Sequence, residues 1–235
     1  MNADRRLRLL CEVYGLDDAQ RERLAAVLSR LAGDELAPTS VREPDRAVDV
    51  HLADSLVALN LDVVRGAHKI VDIGAGAGFP GVPLAVALRE SEVALVDSQA
   101  RKCSYIRELC ARADIENARV VCARVEEWPE GIDAHDVAVA RALAPQPVVL
   151  EYAAPLLRQG GCLVDWRGRR DPAEERDAQD AAGQLGLERE AIRRVEPFEG
   201  ARDHHLHVYL KVRETPGRFP RRAGIARKRP LARSS

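Results

Sequence analysis

Long apolar runs are absent from the 235-residue sequence, although 46% of its residues are hydrophobic. No stretch approaches the roughly 18 consecutive apolar residues that a membrane-spanning helix needs. The first six residues lead directly into a charged, amphipathic segment. We therefore expect a cytoplasmic protein with no membrane segment.

Cysteines are few, and their arrangement excludes two common kinds of small-domain architecture. They are odd in number, widely spaced and never paired as C-x-x-C, so neither a disulfide framework nor a zinc site is predicted. The three histidines in residues 204–207 do not change this expectation. Neighbouring side chains on a strand point to opposite faces of the sheet, so adjacent histidines could not bind the same metal ion. We therefore interpret these histidines as a solvated strand end.

A strong net charge is also missing, but the value of −1 conceals an uneven distribution. Residues 212–235 contain eight Arg or Lys and one acidic residue, which gives this segment a charge of +7. The rest of the chain holds 28 basic and 36 acidic side chains. Because electrostatic attraction depends on where charge is placed, a basic tail on an acidic body favours a polyanionic partner.

The pattern of apolar residues divides the chain into three regions. Residues 1–60 show helical spacing in three stretches, 7–14, 24–31 and 48–59, and are expected to form a helical N-terminal cap. Residues 61–212 alternate short β-rich runs with helical segments, which is typical of βαβ units and a parallel sheet. Residues 213–235, rich in Pro, Gly and Arg, are predicted to be a tail lying on the body or on a partner.

Within the middle region the predicted strands and helices have the following bounds. Strands are expected over 70–73, 93–96, 120–123, 136–140, 161–164, 191–195 and 206–212, and helices over 83–88, 100–113, 147–157 and 172–185. No helix separates the last two strands, so we expect the final strand to pair antiparallel. The predicted class is α/β with a mostly parallel, doubly wound sheet.

A glycine-rich turn follows the first of these strands. Gly74, Gly76 and Gly78 permit positive φ angles and close approach of a ligand to the backbone. The next strand ends at Asp97, where a carboxylate can accept hydrogen bonds from both ribose hydroxyls. A tight turn without a ligand and an N-cap for the helix from residue 100 are the alternative explanations. Together, the two features favour an adenosine-nucleoside site, and Asp72 within the strand favours S-adenosylmethionine over a nicotinamide.

Residues 71–84, Val-Asp-Ile-Gly-Ala-Gly-Ala-Gly-Phe-Pro-Gly-Val-Pro-Leu, resemble the first motif of the glucose-inhibited division protein B family. Further matches lie at residues 51–55, 96–98 with 101–102, 123–127, 140–144, and in the tail at 219–224 and 228–231. The matches follow the family order from about residue 40 to the C-terminus. One segment departs: residues 34–39, Asp-Glu-Leu-Ala-Pro-Thr, lack the family's Trp and both Asn.

The resemblance implies a class I, Rossmann-like methyltransferase that uses S-adenosyl-L-methionine to methylate guanine N7 in small-subunit ribosomal RNA. The substrate partner would be that RNA or the small ribosomal subunit, and the enzyme is expected to be a monomer. The implied cofactor-binding residues are Gly74, Gly76, Gly78, Phe79, Asp97, Ser98, Val125, Glu126 and Arg141.

Other residues are assigned to substrate. Arg141, His51 and Asp54 are expected to position the substrate, the last two being three residues apart on a predicted helix. The predicted RNA contacts are Arg101, Lys102, Arg124, Arg167, Arg221, Arg222 and Lys228. Trp166 is a candidate for stacking on an unpaired base, whereas Trp128 is expected in the core.

No Ser-His-Asp set, metal cluster or carboxylate pair is recognisable, and the implied reaction needs none. Guanine N7 carries a lone pair and no proton, so in-line attack on a sulfonium methyl group requires alignment rather than a general base. Two alternatives stay open: a methyltransferase acting on a small molecule or protein, and a non-catalytic RNA module that binds S-adenosylmethionine.

Overall fold

One seven-stranded sheet organises the computed structural model, which describes residues 2–34 and 37–231. Its strands are β1 (Lys69–Ile73), β2 (Glu92–Asp97), β3 (Ala118–Cys122), β4 (His135–Arg141), β5 (Leu157–Arg167), β6 (Leu187–Val195) and β7 (His204–Lys211). They are ordered β3-β2-β1-β4-β5-β7-β6. The first five pair in parallel, and β7 runs antiparallel to both β5 and β6. The predicted α/β class and the antiparallel last strand are confirmed.

The helices of the described residues flank this sheet. They are α1 (Ala3–Tyr14), α2 (Asp18–Ala32), α3 (Pro44–Ala47), α4 (Asp54–Leu56), α5 (Asp62–Arg65), α6 (Gly81–Ala87), α7 (Ala100–Arg112), α8 (Gln146–Ala153), α9 (Pro172–Leu185) and α10 (Ile225–Lys228). A π-helical turn, Val48–Ala53, joins α3 to α4, and a 3₁₀ turn, Val57–Asn60, follows α4. None of these helices combines the length and the apolar composition needed to cross a bilayer.

Local sequence explains where several helices begin and end. Asp17 and Gln20 form a reciprocal capping box at the start of α2, which satisfies two backbone N–H groups. Asp171 caps α9, Pro172 occupies its first turn, and Gly186 ends it with φ +82°. The predicted helix 147–157 was too long: α8 ends at Ala153, and β5 begins at Leu157, which pairs with His135 ahead of an irregular register.

Two apolar clusters cover the two faces of the sheet. Alternation along β1 sends Ile70 to one face and Val71 with Ile73 to the other. The N-terminal helices share the first cluster with the sheet, and the tail contributes Phe219 and Ala226 to the second. The division into residues 1–60, 61–212 and 213–235 stays a prediction, and its last four residues lie outside the described part of the chain.

A buried polar cluster lies between β5, β7 and the start of α8. The Gln146 side-chain amide donates to Asp165 Oδ2 at 3.0 Å and lies 3.0 Å from His207 Nδ1. Tyr209 donates to Gln146 Oε1 at 3.3 Å. His207 is 2% exposed, so the predicted solvated strand end is wrong at this residue. Burial raises the pKa of Asp165 from 3.8 to about 7 and lowers the pKa of His207 to about 4.

Because the pKa of Asp165 is raised in the folded state, we expect the free energy of unfolding to fall as pH rises. Stability from the neutral carboxyl is complete below the unfolded-state pKa and is lost as pH rises through the folded-state pKa near 7. We expect Asp165→Asn, which keeps an oxygen for Gln146, to gain stability over wild type between about pH 5 and pH 7. A gain of about 1 kcal/mol would raise Tm by roughly 2–4 °C.

Thermal melts of wild type, Asp165→Asn and a control would measure this effect. The control is Asp177→Asn, which removes an exposed carboxylate from α9. A Tm difference for Asp165→Asn that does not grow with pH would contradict the effect attributed to the buried carboxyl.

Candidate active site

A cleft of about 680 Å³ lies at the carboxyl edge of the parallel strands. Its walls come from the turn after β1, the end of β2, the segment after β3 and the end of β4. In open α/β sheets ligands bind at this edge, where the strand order reverses. Here the order reverses between β1 and β4, so the cleft has the expected location.

The glycine turn forms the floor of the cleft. The backbone N–H groups of Gly74 and Ala75 donate to Val96 O at 2.8 and 2.9 Å, which fixes the turn against β2. Gly76 has φ +60°, and a Cβ built there meets only Gly74 O, at 3.7 Å. Gly78, a predicted cofactor contact, does not line the cleft; its φ is +96°, and a Cβ there would lie 2.7 Å from Val82. Gly76 therefore leaves room for a ligand, and Gly78 serves packing.

Two backbone N–H groups hold the Asp97 carboxylate at the end of β2, and the N-cap of α7 is Gln99 rather than Asp97. Its Oδ1 accepts from Gln99 N at 2.9 Å and so supports the start of α7. Its Oδ2 accepts from Gly76 N at 3.1 Å, and Lys102 Nζ lies 3.8 Å away. Asp97 and Ser98 both line the cleft. The backbone thus holds the carboxylate with lone pairs still available for ribose hydroxyls.

Asp72 lies beneath the turn and does not reach the cleft. It is 1% exposed, and its Oδ2 accepts from Gly81 N at 2.7 Å. Burial raises its pKa to about 7. The carboxyl therefore links β1 to the first turn of α6 behind the glycine turn.

Phe79 connects the glycine turn to two predicted substrate residues. Its ring stacks on the His51 imidazole with centroids 4.5 Å apart and planes 7° apart. The Arg141 guanidinium lies 5.7 Å from the Phe79 centroid. His51 Nε2 lies 2.9 Å from Val41 O and 3.1 Å from Thr39 Oγ1. Since a carbonyl only accepts, Nε2 carries the proton, and burial lowers the pKa of His51, which keeps the ring neutral.

Asp54 anchors Arg141 rather than bonding to His51. Arg141 Nη1 donates to Asp54 Oδ2 at 2.7 Å and to Val50 O at 3.0 Å. Asp54 Oδ1 lies 3.1 Å from His204 Nδ1. His51 lies in the π-helical turn, Asp54 follows it as the first residue of α4, and both are buried. Asp54 lies behind the cleft wall and contacts Arg141, which lines the cleft.

The opposite end of the cleft is formed by residues after β3. Val125 and Glu126 line it, as does the exposed Arg124. Glu126 lies in a 3₁₀ turn, Val125–Glu127, and its Oε1 accepts from Gly224 N of the tail at 2.9 Å. The sequence did not indicate that Tyr152 and Arg227 would also line the cleft.

The structure separates the predicted RNA contacts into two groups. Arg101, Arg124, Arg222 and Lys228 are exposed, and Lys102 is half-buried at the cleft. Arg167 donates hydrogen bonds from Nη1 to Ala144 O at 3.0 Å and from Nη2 to the Glu174 carboxylate. Arg221 binds both carboxylate oxygens of the buried Glu151 through its Nε and Nη2 groups. The last two guanidinium groups therefore serve the fold, and we withdraw them as RNA contacts.

The two tryptophans are both core residues. Trp128 is 5% exposed, as expected, and Trp166 is 7% exposed. The Trp166 Nε1–H donates to Asp54 O at 2.8 Å, so stacking of this ring on a base is wrong. Among the described residues no group of three or more His, Cys, Asp or Glu has a metal-binding arrangement.

The donor set of the cleft fits S-adenosylmethionine. Asp97 offers a fixed carboxylate to a ribose, and the open space over Gly76 admits a ligand against the backbone. The volume lies within the roughly 300–1,000 Å³ typical of small-molecule sites. Carboxylates at Asp97 and Glu126 also suit a ligand with a sulfonium cation.

The strand order is that of the class I methyltransferase fold. A solved S-adenosylmethionine-dependent methyltransferase from Aquifex aeolicus has the same fold, with a TM-score of 0.54 and 16% identity, over 69% of this chain and 90% of that one.

The profile of the GidB family, rRNA small subunit methyltransferase G, matches residues 20–203. The chain is 38% identical over 196 residues to ribosomal RNA small subunit methyltransferase G of Rubrobacter xylanophilus, covering 81% of this chain and 75% of that protein. It is 36% identical over 234 residues to the protein of the same name from Desulfitobacterium hafniense, covering 96% and 94%. The chain belongs to the GidB family, and its cofactor is S-adenosylmethionine.

Proposed function

We propose that this protein transfers the methyl group of S-adenosylmethionine to guanine N7 in small-subunit ribosomal RNA. The proposal depends on one observation: the glycine turn, Asp97 and Arg141 line the same cleft in a chain of the GidB family. We propose a monomer as the functional unit. Ribosomal RNA as substrate supports action in the cytoplasm.

Methyl transfer from sulfur to N7 requires that the two reactants be aligned and that water be excluded. S-adenosylmethionine supplies an electrophilic methyl group on sulfur, and N7 supplies a lone pair without a proton to remove. Asp97 and the glycine turn would fix the nucleoside half of the cofactor. The stacked rings of Phe79 and the neutral His51 form an uncharged wall beside Arg141. An uncharged wall suits a purine that becomes positively charged as the methyl group arrives.

Four exposed cations and the half-buried Lys102 around the cleft support binding of a polyanion. Arg101, Lys102 and Arg124 lie beside the end formed by α7 and the segment after β3, and Arg222 with Lys228 lie on the tail. We propose these five as phosphate contacts, since each would neutralise a phosphate without reading the base.

Methyl transfer from labelled S-adenosylmethionine would test the function. We expect label to enter small subunits or small-subunit RNA from cells lacking this activity, at one guanine whose glycosidic bond becomes labile, as N7 methylation makes it. Parallel reactions with protein extracts and metabolite pools serve as controls. Incorporation into proteins or metabolites alone would contradict the RNA substrate, and binding without any transfer would indicate a non-catalytic module.

A further inference from the structure

The C-terminal segment packs along α8 and reaches the cleft of the methyltransferase body with its last described residues. Thr215 Oγ1 donates to Ala154 O at 3.1 Å or Leu185 O at 3.0 Å, and Phe219 is buried in the cluster that contains α8. Ala226, in the short helix α10, is 1% exposed. A segment whose composition predicts poor folding alone is thus held in place by the body.

Two polar contacts fix the position of the C-terminal segment on the body, and the first is with Glu151 of α8. Arg221 donates from Nε to Glu151 Oε1 at 2.6 Å and from Nη2 to the other oxygen of this carboxylate. Arg221 Nη2 also donates to Arg229 O at 2.9 Å, which folds the segment back on itself. Glu151 is 1% exposed, so this is a buried, bidentate ion pair with defined geometry.

The second contact joins the segment to the cofactor site itself. Gly224, at φ +79°, donates its backbone N–H to Glu126 Oε1 at 2.9 Å. Arg227, three residues later, donates from Nη2 to Leu143 O at 3.1 Å and lines the cleft with Tyr152. The segment therefore touches both Glu126 after β3 and Leu143 after β4, which lie on the two sides of the cleft.

We infer that the C-terminal segment is a wall of the cofactor site, and that Arg227 contacts bound S-adenosylmethionine. The inference rests on the proposed function, because it takes the cleft to be the cofactor site. Arg227 is exposed at the cleft rim, and its planar guanidinium offers several N–H donors to a ligand rich in acceptors. Through Gly224 the segment also sets the position of Glu126. Cofactor binding and docking of the tail are therefore coupled.

Titration calorimetry with S-adenosylhomocysteine tests the role of Arg227 in the full-length chain. We expect Arg227→Ala to raise Kd by about tenfold or more, the loss of one hydrogen bond from a charged donor. Arg227→Lys keeps the charge without the planar donor set and is expected to recover only part of the affinity. The matched control is Arg229→Ala, an exposed arginine two residues away that does not line the cleft.

Limited trypsin digestion gives a second readout that needs no activity. We expect S-adenosylhomocysteine to slow cleavage within residues 213–231 in wild type, and Arg221→Ala to speed that cleavage and raise Kd together. The inference would be overturned if the Kd of Arg227→Ala were within about threefold of the wild-type value. It would also be overturned if S-adenosylhomocysteine did not change the rate of cleavage in the tail. Failure of wild type itself to bind would instead reject the proposed function, and the inference with it.

Discussion

Asp97→Ala is expected to abolish detectable binding of S-adenosylhomocysteine and, with it, methyl transfer. The carboxylate is the group at the end of β2 that can accept both ribose hydroxyls, and two backbone N–H groups hold it in place. Hydrogen bonds to a charged group contribute about 1.5–3 kcal/mol each, so losing two of them weakens binding by roughly a hundredfold or more. Calorimetry and the ligand-induced shift in Tm would measure this loss.

A second variant separates binding from folding. Asp97→Asn keeps one oxygen for the backbone but replaces the other by an NH₂ donor, so we expect a folded protein with strongly reduced affinity. Glu92→Ala removes an exposed carboxylate from the other end of the same strand and should bind like wild type. Retention of near wild-type affinity by Asp97→Ala would contradict the assignment of this residue to the ribose.

Much of this cleft could be predicted because its elements are local in sequence. The strand, the glycine turn and the next strand's terminal acid lie within residues 69–97, and parallel pairing brings Gly76 and Asp97 to one edge. Apolar runs predicted all seven strands for the same reason. Helix ends were less predictable: β5 begins at Leu157 through pairing with His135, a tertiary contact that apolar content alone does not reveal.

The remaining parts of the site depend on contacts between distant residues. His204 meets Asp54 across 150 residues, and Gly224 meets Glu126 across 98. No periodicity encodes such pairs, and the π-helical turn around His51 has no compositional signature. Trp166 was misplaced for a related reason, because the acceptor for its N–H is a backbone carbonyl, that of Asp54, 112 residues earlier. Local patterns placed the cofactor turn, whereas tertiary packing determined the substrate side.

Asp54→Ala is expected to lower methyl transfer about as much as Arg141→Ala, although Asp54 does not line the cleft. Arg141 is anchored by Asp54 Oδ2 at 2.7 Å and Val50 O at 3.0 Å, and its side chain is 17% exposed. Removing one partner of a largely buried ion pair leaves the other charge uncompensated and costs about 3–5 kcal/mol. Chemical denaturation would measure the stability loss, and single-turnover rates would measure the activity.

A double-mutant cycle distinguishes positioning through Arg141 from a general loss of structure. If Asp54 acts through Arg141, adding Asp54→Ala to Arg141→Ala should lower the rate constant by less than about threefold further. Asp54→Asn, which keeps an acceptor without the charge, should be intermediate in rate. The control is Asp49→Ala, which removes a carboxylate paired with Arg6 nearer the surface on the same segment and should cost at most about 1 kcal/mol. Rate losses that multiply independently in the double variant would show that Asp54 reaches the reaction by a route other than Arg141.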